Sequence, residues 1–551
     1  MSRYQSHSFE IPAETVQVAK AAFRKGNVYM TLRDELGPLF ADEDFAVLFA
    51  WRGQMGVSPG LLAMVTVMQF MEGLTDRQAA EAVRSRIDWK YALGLQLTDT
   101  GFDYSILSPF RDRLLAGGAE AQLFDRVLER LKERGLVKPR GRQRTDSTHI
   151  LAAVRSLNRL ELVGETLRRA LDDLARLVPD WLVAQVTPDW FERYGARFES
   201  YRLPQDQTER SALQVQIGHD GYHLLTAVYD DPGLAWLGQI ASVEVLRQVW
   251  LQQYYRQDGQ VHWRERENLA PNHLLIMSPD DPEARNRTKR TTNWTGYALH
   301  LTETCDLTDE PNIITHVATT PATTADVAQV DHIHDDLAQH DLLPREHLVD
   351  SGYIAAEQLL HSQEQHQVEL LGPTAGGGSW QAAAGQGLDV SCFSVDWETH
   401  TVTCPQGKTS QSWKPGRSKY GHTCYRISFA AADCHACPQQ RQCTQSKRGV
   451  RILTLRPRAE YEALAAARAR QLTDDFKTRY KQRAGIEGTV SQGIRTFELR
   501  RTRYLGQAKT HLQHLVTASA MNLTRVAVWF MQHKPKAKTR ITPFAGLAPV
   551  T

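Results

Sequence analysis

An α/β fold, with a mixed sheet and helices interrupted twice along the chain and preceded by an all-helical domain, is predicted by three features. The runs Trp294–Thr302 and Asn312–Ala318 alternate between apolar and polar residues, as half-buried strands do. A helical pattern from about Thr324 to Gln339 then leads into the run Glu346–Tyr353, an apolar strand with an acid near its end. Ahead of these, residues 1–135 carry helix start and stop signals instead of alternation. With 551 residues, 42% of them hydrophobic, the chain can fill roughly two to four cores, which excludes a disordered or fibrous protein. No solenoid or propeller period recurs along it.

Each element has its own local cause. Ser58-Pro59 supplies an N-cap and a proline at the first helical position for Gly60–Met71; Gly73 closes that helix, and Thr75 opens a second one through Arg84. Ser108-Pro109 repeats the device before Phe110–Leu115, and Leu123–Arg134 follows as a helix. Helix, short glycine turn, helix is the wiring of a DNA-reading helix-turn-helix and equally of any small bundle, so both readings stand. The basic turn Lys138–Arg144 leads into a β-type run, Thr145–Leu151, that carries Asp146. Residues 152–285 return to helical spacing at Leu160, Leu162, Leu167, Leu171, Leu174 and Leu177, as expected of a helical insertion. Gly372–Gly387 reads as a loop, Phe393–Thr403 as a hairpin, Arg458–Val490 as a long helix and Leu512–Met531 as an apolar helix lying on the sheet. With the Asp146 run placed first, strand, strand, strand, helix, strand is the order of a ribonuclease-H-like fold. The expected units are a helical N-terminal domain (1–135), a catalytic core in three pieces (136–151, 286–372 and 458–531), a helical insertion (152–285), a cysteine-rich insertion (373–457) and a basic tail (532–551).

Charge and cysteine use narrow the function. The net charge is only +2, yet from Tyr480 to Arg540 twelve Lys and Arg face two acids, so the basic character is local. No secretion-signal pattern is seen at the start, and the longest apolar stretch, Gly60–Leu74, is interrupted by Gln69 and Glu72; a cytoplasmic protein without a membrane partner is expected. All cysteines but Cys305 fall between Cys392 and Cys443, which suits a local metal site better than a disulfide framework. Cys404, Cys434, Cys437 and Cys443 could close a tetrahedral, structural Zn²⁺ site; Cys424, His422 and His435 compete as ligands, and reduced, metal-free cysteines are the other reading. Trp380, Trp397 and Trp413 lie in the same segment, either to stack on a displaced base or to fill a small core.

Three acids stand out by position. Asp146 and Asp350 each sit on a β-type run, and Glu487 lies seven residues after Tyr480 and four after Arg483, so that on one continuous helix all three would share a face. Carboxylates converging from two strands and a helix can hold two Mg²⁺ or Mn²⁺ ions about 3.5–4 Å apart, an arrangement suited to phosphodiester chemistry.

Asp146 within TDST, Asp350 within HLVDSGY and Glu487 within YKQRAGIEGTVSQGIR together resemble the DDE transposases of bacterial insertion sequences, in the branch marked by a Tyr-x2-Arg-x3-Glu-x6-Lys motif. The likeness extends through WTGYALHLTETCD, ITHVATTPATTADV and the CPQG to CPQQRQC region. The resemblance implies a ribonuclease-H-like catalytic domain, Mg²⁺-dependent DNA cleavage and strand transfer by Asp146, Asp350 and Glu487, and a DNA-backbone grip by Tyr480 and Arg483. Its lysine would fall at Ile494, so either the neighbouring Arg495 supplies that contact by its long reach or the contact is absent, and Arg500, Arg501 and Arg503 are expected to hold the flanking duplex. The implied partners are double-stranded DNA, both terminal inverted repeats and target, and a second copy of the chain, with the protein on the nucleoid when DNA-bound. A catalytically idle DNA-binding descendant and a structure-specific nuclease of the same fold are the alternatives.

Overall fold

Six strands build the central sheet: β1 (Arg142–Leu151), β2 (Arg285–Lys289), β3 (Thr292–Thr304), β4 (Ile314–Pro321), β5 (Glu346–Leu348) and β6 (Glu369–Leu371). The computed structural model describes residues 3–531 except 5, 51–52, 54, 231, 308, 375–379, 386–387 and 419–420. The basic tail, and part of the glycine-rich loop expected at 372–387, lie outside the described residues.

The sheet is mixed, in the order β6-β5-β1-β3-β2, with β4 also paired to β3. β5 and β6 run parallel to β1, whereas β3 is antiparallel to β1, β2 and β4. From Tyr297 to Thr304 every residue of β3 is buried: the apolar Tyr297, Leu299 and Leu301 alternate with His300 and Thr302, Glu303 follows, and these polar groups must find partners inside.

Sequence expectation and structure differ at several elements. β2 was not foreseen: its sequence, RNRTK, has no apolar alternation because it is an edge strand. β6, at three residues, is too short to show a period, and the pair Tyr254–Gln257 and Gln260–Trp263 adds a hairpin to a stretch read as helical. The long helix expected over 458–490 is broken into Arg458–Gln471, Asp474–Tyr480, a 3₁₀ turn Lys481–Ala484 and Gly485–Thr496. Thr473 restarts the second piece by accepting a hydrogen bond from the Phe476 N–H at 3.2 Å. The cap at Ser58 and the capping box of Thr75 with Gln78 form as expected, whereas Ser108 lies inside the first turn of Leu107–Ala116 and caps nothing. Ser412–Arg417, Thr423–Ser428 and Ile452–Leu455 form a separate three-stranded sheet, and beside it Ser394–Asp396 pairs with Thr401–Thr403.

The last helix, Gln507–Phe530, is the hub of the core. It packs on β4 and on the N-terminal helices, and one continuous apolar cluster runs from Phe40, Leu62 and Trp89 through Leu299 and Ile314 to Leu515 and Val526. Its buried polar residues pair back to the sheet: Asn522 accepts from the Ile314 N–H and donates to the Ile314 carbonyl, both at 2.8 Å, as a neighbouring strand would. The helices Arg159–Leu177, Gln207–Asp230 and Ala241–Gln253 enclose a second core, built on Leu167, Leu224, Leu246 and Trp250. Among the described residues no helix is long and apolar enough to cross a membrane.

Histidines thread this interior. His334 bonds to His347 at 2.8 Å, and His347 to the Thr145 hydroxyl at 2.6 Å. Burial pushes His300, His334 and His511 down to about 4 and His316 and His514 to about 3, and it lowers His347 as well. A group whose folded pKa lies below its unfolded value adds stability that is present above about pH 6.5 and is lost as pH falls toward the folded value. His340 opposes the trend: its hydrogen bond to Asp125 raises it to about 9, so its contribution is present below about pH 6.5 and lost as pH rises through 9. Six groups outweigh one, so the thermal midpoint should fall between pH 7 and pH 5, with each neutral histidine adding at most about 1.4 kcal/mol per pH unit. His334→Gln should flatten that slope, and a midpoint independent of pH across this window would contradict the assignment.

Candidate active site

Asp146 sits in the middle of β1, beyond the residues paired to β5, and its side chain is 17% exposed. Its Oδ1 accepts the Ser147 N–H at 2.8 Å and its Oδ2 meets Arg483 Nη2 at 2.7 Å. Asp350 follows the end of β5, the neighbouring strand, and folds back to accept the Gly352 N–H at 2.8 Å, which opens the turn Ser351–Tyr353. Glu487 lies in the first turn of Gly485–Thr496 with its side chain 68% exposed, and it accepts from Arg483 Nη1 at 3.1 Å. One guanidinium therefore bridges the first and third acids.

The electrostatics place all three acids in one neighbourhood. Burial raises the Asp146 carboxyl above its ordinary value; Arg483 opposes this, and the charge of Asp350 adds to it. Tyr480 is raised by burial first; Arg483 lowers it, while Asp350, Asp146 and Glu487 each raise it. Its ring stacks on Phe476 with centroids 5.3 Å apart, beside a small cluster of Cys305, Leu348 and Leu371. Tyr480 and Glu487 belong to different helical pieces, so this neighbourhood is set by the 3₁₀ turn, not by the continuous helix face expected from spacing.

A buried ionic network missed by sequence reasoning holds that turn against the sheet. Glu303 of β3 is fully buried and stands directly across from Arg144 of β1. Arg144 donates to Glu303 through Nε at 2.8 Å and Nη2 at 2.6 Å, while Nη1 reaches the Gln482 carbonyl at 2.6 Å. From the other side Arg525 donates to Glu303 at 2.9 Å and to Thr489 at 2.6 Å, and Thr489 donates its own hydroxyl proton to Glu303 at 2.6 Å. Gly485 belongs to the same contact, because a Cβ there would collide with the Arg144 guanidinium. The available signals were a charge inside the apolar strand WTGYALHLTETCD and a lone arginine inside an apolar helix.

The remaining arginines divide. Arg500 is bonded to the Thr148 hydroxyl and the His149 carbonyl of β1. Arg503 donates to the Leu74 carbonyl at 3.0 Å and lies over Phe70, so it joins this segment to the N-terminal helices. Arg495 and Arg501 have exposed side chains, and Ile494 packs on the core.

Cys404, Cys434, Cys437 and Cys443 line one cavity of about 230 Å³. Burial raises the Cys443 thiol, Arg451 lowers it, and Cys434, Cys437 and Cys404 each raise it further. The competing ligands are engaged elsewhere: His422 with Glu357 at 3.0 Å, His435 with the Arg448 carbonyl at 3.0 Å, and Cys424 buried in its strand. Trp397 and Trp413 pack edge to face, 5.2 Å apart, with Tyr425 and Tyr461 around them; Trp380 opens the short helix Trp380–Ala384. Among the described residues, neither the acids nor the cysteines bring three side chains into metal-ligating geometry.

Residues 403–527 match the family model described as a transposase DDE domain, and residues 18–113 match one described as a transposase domain, DUF772. The first match spans the four cysteines and Glu487, and the second covers most of the N-terminal helices. Together they indicate a transposase, and the DDE domain implies a ribonuclease-H-like fold. No curated protein and no solved structure matches the chain.

Glu303→Ala should leave Arg144 and Arg525 buried without their counter-charge and cost about 3–5 kcal/mol in urea unfolding. A loss under about 1 kcal/mol, the range of exposed pairs, would mean that the network does not hold the catalytic helix.

Proposed function

We propose that this chain is a DNA transposase that binds the terminal inverted repeats of its own insertion sequence, cuts at their ends and joins them to target DNA. The observation that carries the reading is the neighbourhood of Asp146, Asp350 and Glu487, drawn from two adjacent strands and a helix and bridged by Arg483.

DDE transposase domains generally use divalent metals such as Mg²⁺. The donor set fits one: all three groups offer hard carboxylate oxygens, and Asp146, raised by burial and by Asp350, gains from a cation beside it. Bound there, Mg²⁺ or Mn²⁺ would supply an activated hydroxyl nucleophile and stabilise the leaving oxygen. The protein's own part is to position. Asp146, Asp350 and Glu487 would hold the ion, while Arg483 grips a phosphate at the cleavage point and Tyr480 steadies the backbone beside it. Arg495 and Arg501 hold the flanking duplex, and Arg500 and Arg503 fix the segment that carries them. Two chains act together, since two ends must be joined. Cys404, Cys434, Cys437 and Cys443 hold one structural Zn²⁺, which relieves the mutual repulsion of their thiolates.

Incubation of an end-containing duplex with target DNA and Mg²⁺ should give joined products. Cleavage without joining would favour a structure-specific nuclease, and binding without cleavage an idle descendant. Asp350→Ala should abolish cleavage and leave end binding largely intact; retained cleavage would remove it from the site.

The folded pKa of Asp146 lies above its unfolded value, so its ionised form costs stability at neutral pH. Mg²⁺ should therefore raise the thermal midpoint of the wild type, and raise that of Asp146→Asn less. An equal shift in both would place the ion elsewhere. Purified protein should contain about one zinc per chain, and a folded cysteine segment in metal-free protein would exclude that site.

A further inference from the structure

We propose that Lys289 is a second phosphate-binding residue of this site and that Asp326, a fourth carboxylate, is the positioning residue that holds it ready. This rests on the transposase reading above.

Lys289 is the last residue of β2, the edge strand, and its side chain is 52% exposed, whereas that of Asp326 is 6% exposed. Lys289 Nζ stands 3.6 Å from Asp326 Oδ2, an ion pair too long for a hydrogen bond, and makes no hydrogen bond among the described residues. An ammonium carries three donors, so this one has protons to give.

Asp326 in turn lies beside the acids. Its Oδ2 and the Oδ1 of Asp350 are each 3.0 Å from the point that a Cβ would occupy at Gly352, so a residue without a side chain lets the two carboxylates crowd together. The charge of Lys289 reaches the first acid as well, holding the Asp146 carboxyl down against its burial. The hairpin and the Asp326 loop move as one piece, because Arg287, two residues before Lys289, donates to the carbonyls of Ala322 and Thr324 at 2.8 and 3.0 Å.

On the helix side Arg483 stands between Asp146 and Glu487, and beyond Glu487 the helix offers the packed Ile494. A phosphodiester among four carboxylates needs positive charge from more than one side. Arg483 supplies it from the catalytic helix and Lys289 from the sheet edge. A half-exposed pair at this separation is weak, so a phosphate oxygen can draw the ammonium away at little cost.

The test uses the full chain and a duplex carrying one end. Binding is measured against salt in EDTA, and single-turnover cleavage is measured with Mg²⁺ at saturating DNA. Lys289→Ala should make the salt dependence shallower by about one unit of log–log slope and slow cleavage about tenfold. Lys289→Arg should restore both. Asp326→Asn should slow cleavage and leave the salt slope at the wild-type value, and adding Lys289→Ala to it should cost less than the product of the two single losses. Thermal midpoints of each variant separate these effects from misfolding, and Lys289→Gln, with the same losses expected, provides the reading if Lys289→Ala does not fold. Wild-type cleavage together with an unchanged slope and rate in Lys289→Ala would overturn this inference alone. A wild type that binds no end DNA would overturn the transposase reading with it.

Discussion

The geometry of the candidate site depends on one buried carboxylate. Glu303 receives Arg144 from β1, Arg525 from the last helix and the Thr489 hydroxyl from the helix Gly485–Thr496, and without it both arginines would be left in the core with no counter-charge. Replacing such a network by apolar side chains is often neutral or favourable for stability, so stability alone does not account for it. What it provides is registry. Arg144 is two residues before Asp146, and its Nη1 holds the Gln482 carbonyl, one residue before Arg483. The same guanidinium thus ties the strand of the first acid to the turn ahead of the third.

The environments of the three acids differ in a way that suits an ion-dependent reaction. Asp146 is buried and raised, Asp350 is folded onto its own turn, and Glu487 is largely exposed on a first helical turn. Two of the carboxylates are therefore fixed by the sheet, while the third stands at the rim, held over by Arg483. The glycine positions serve the same end: Gly485 makes room for Arg144, and Gly352 lets Asp326 approach Asp350.

Much of this was legible in the sequence. The β3 and β4 strands and the caps at Ser58 and Thr75 all carry local signals, of alternation or capping. The rest depends on distant partners. The edge strand β2 pairs through its backbone and needs no apolar period, and the break before Gly485 follows from the docking of Arg144, more than 300 residues earlier in the chain. Arg500 and Arg503 stand out in the sequence by charge, and nothing local announces that one is bonded to β1 and the other to the turn at Leu74.

The place of the last described helix at the centre of the core has a consequence for how the molecule is made. Gln507–Phe530 lies between the sheet and the N-terminal helices and carries Arg525, yet it is among the last parts of the described chain to leave the ribosome. At about 5–20 residues per second, tens of seconds separate synthesis of Asp146 from synthesis of Arg525. From its own synthesis until then Glu303 lacks one of its two arginines, and for the last few seconds, about 2–7 at that rate, the helix Gly485–Thr496 lacks the residue that clamps Thr489 and Gln492. A nascent chain, or one cut short before this helix, is therefore kept from completing its site. The design postpones completion of the site until this helix has been made.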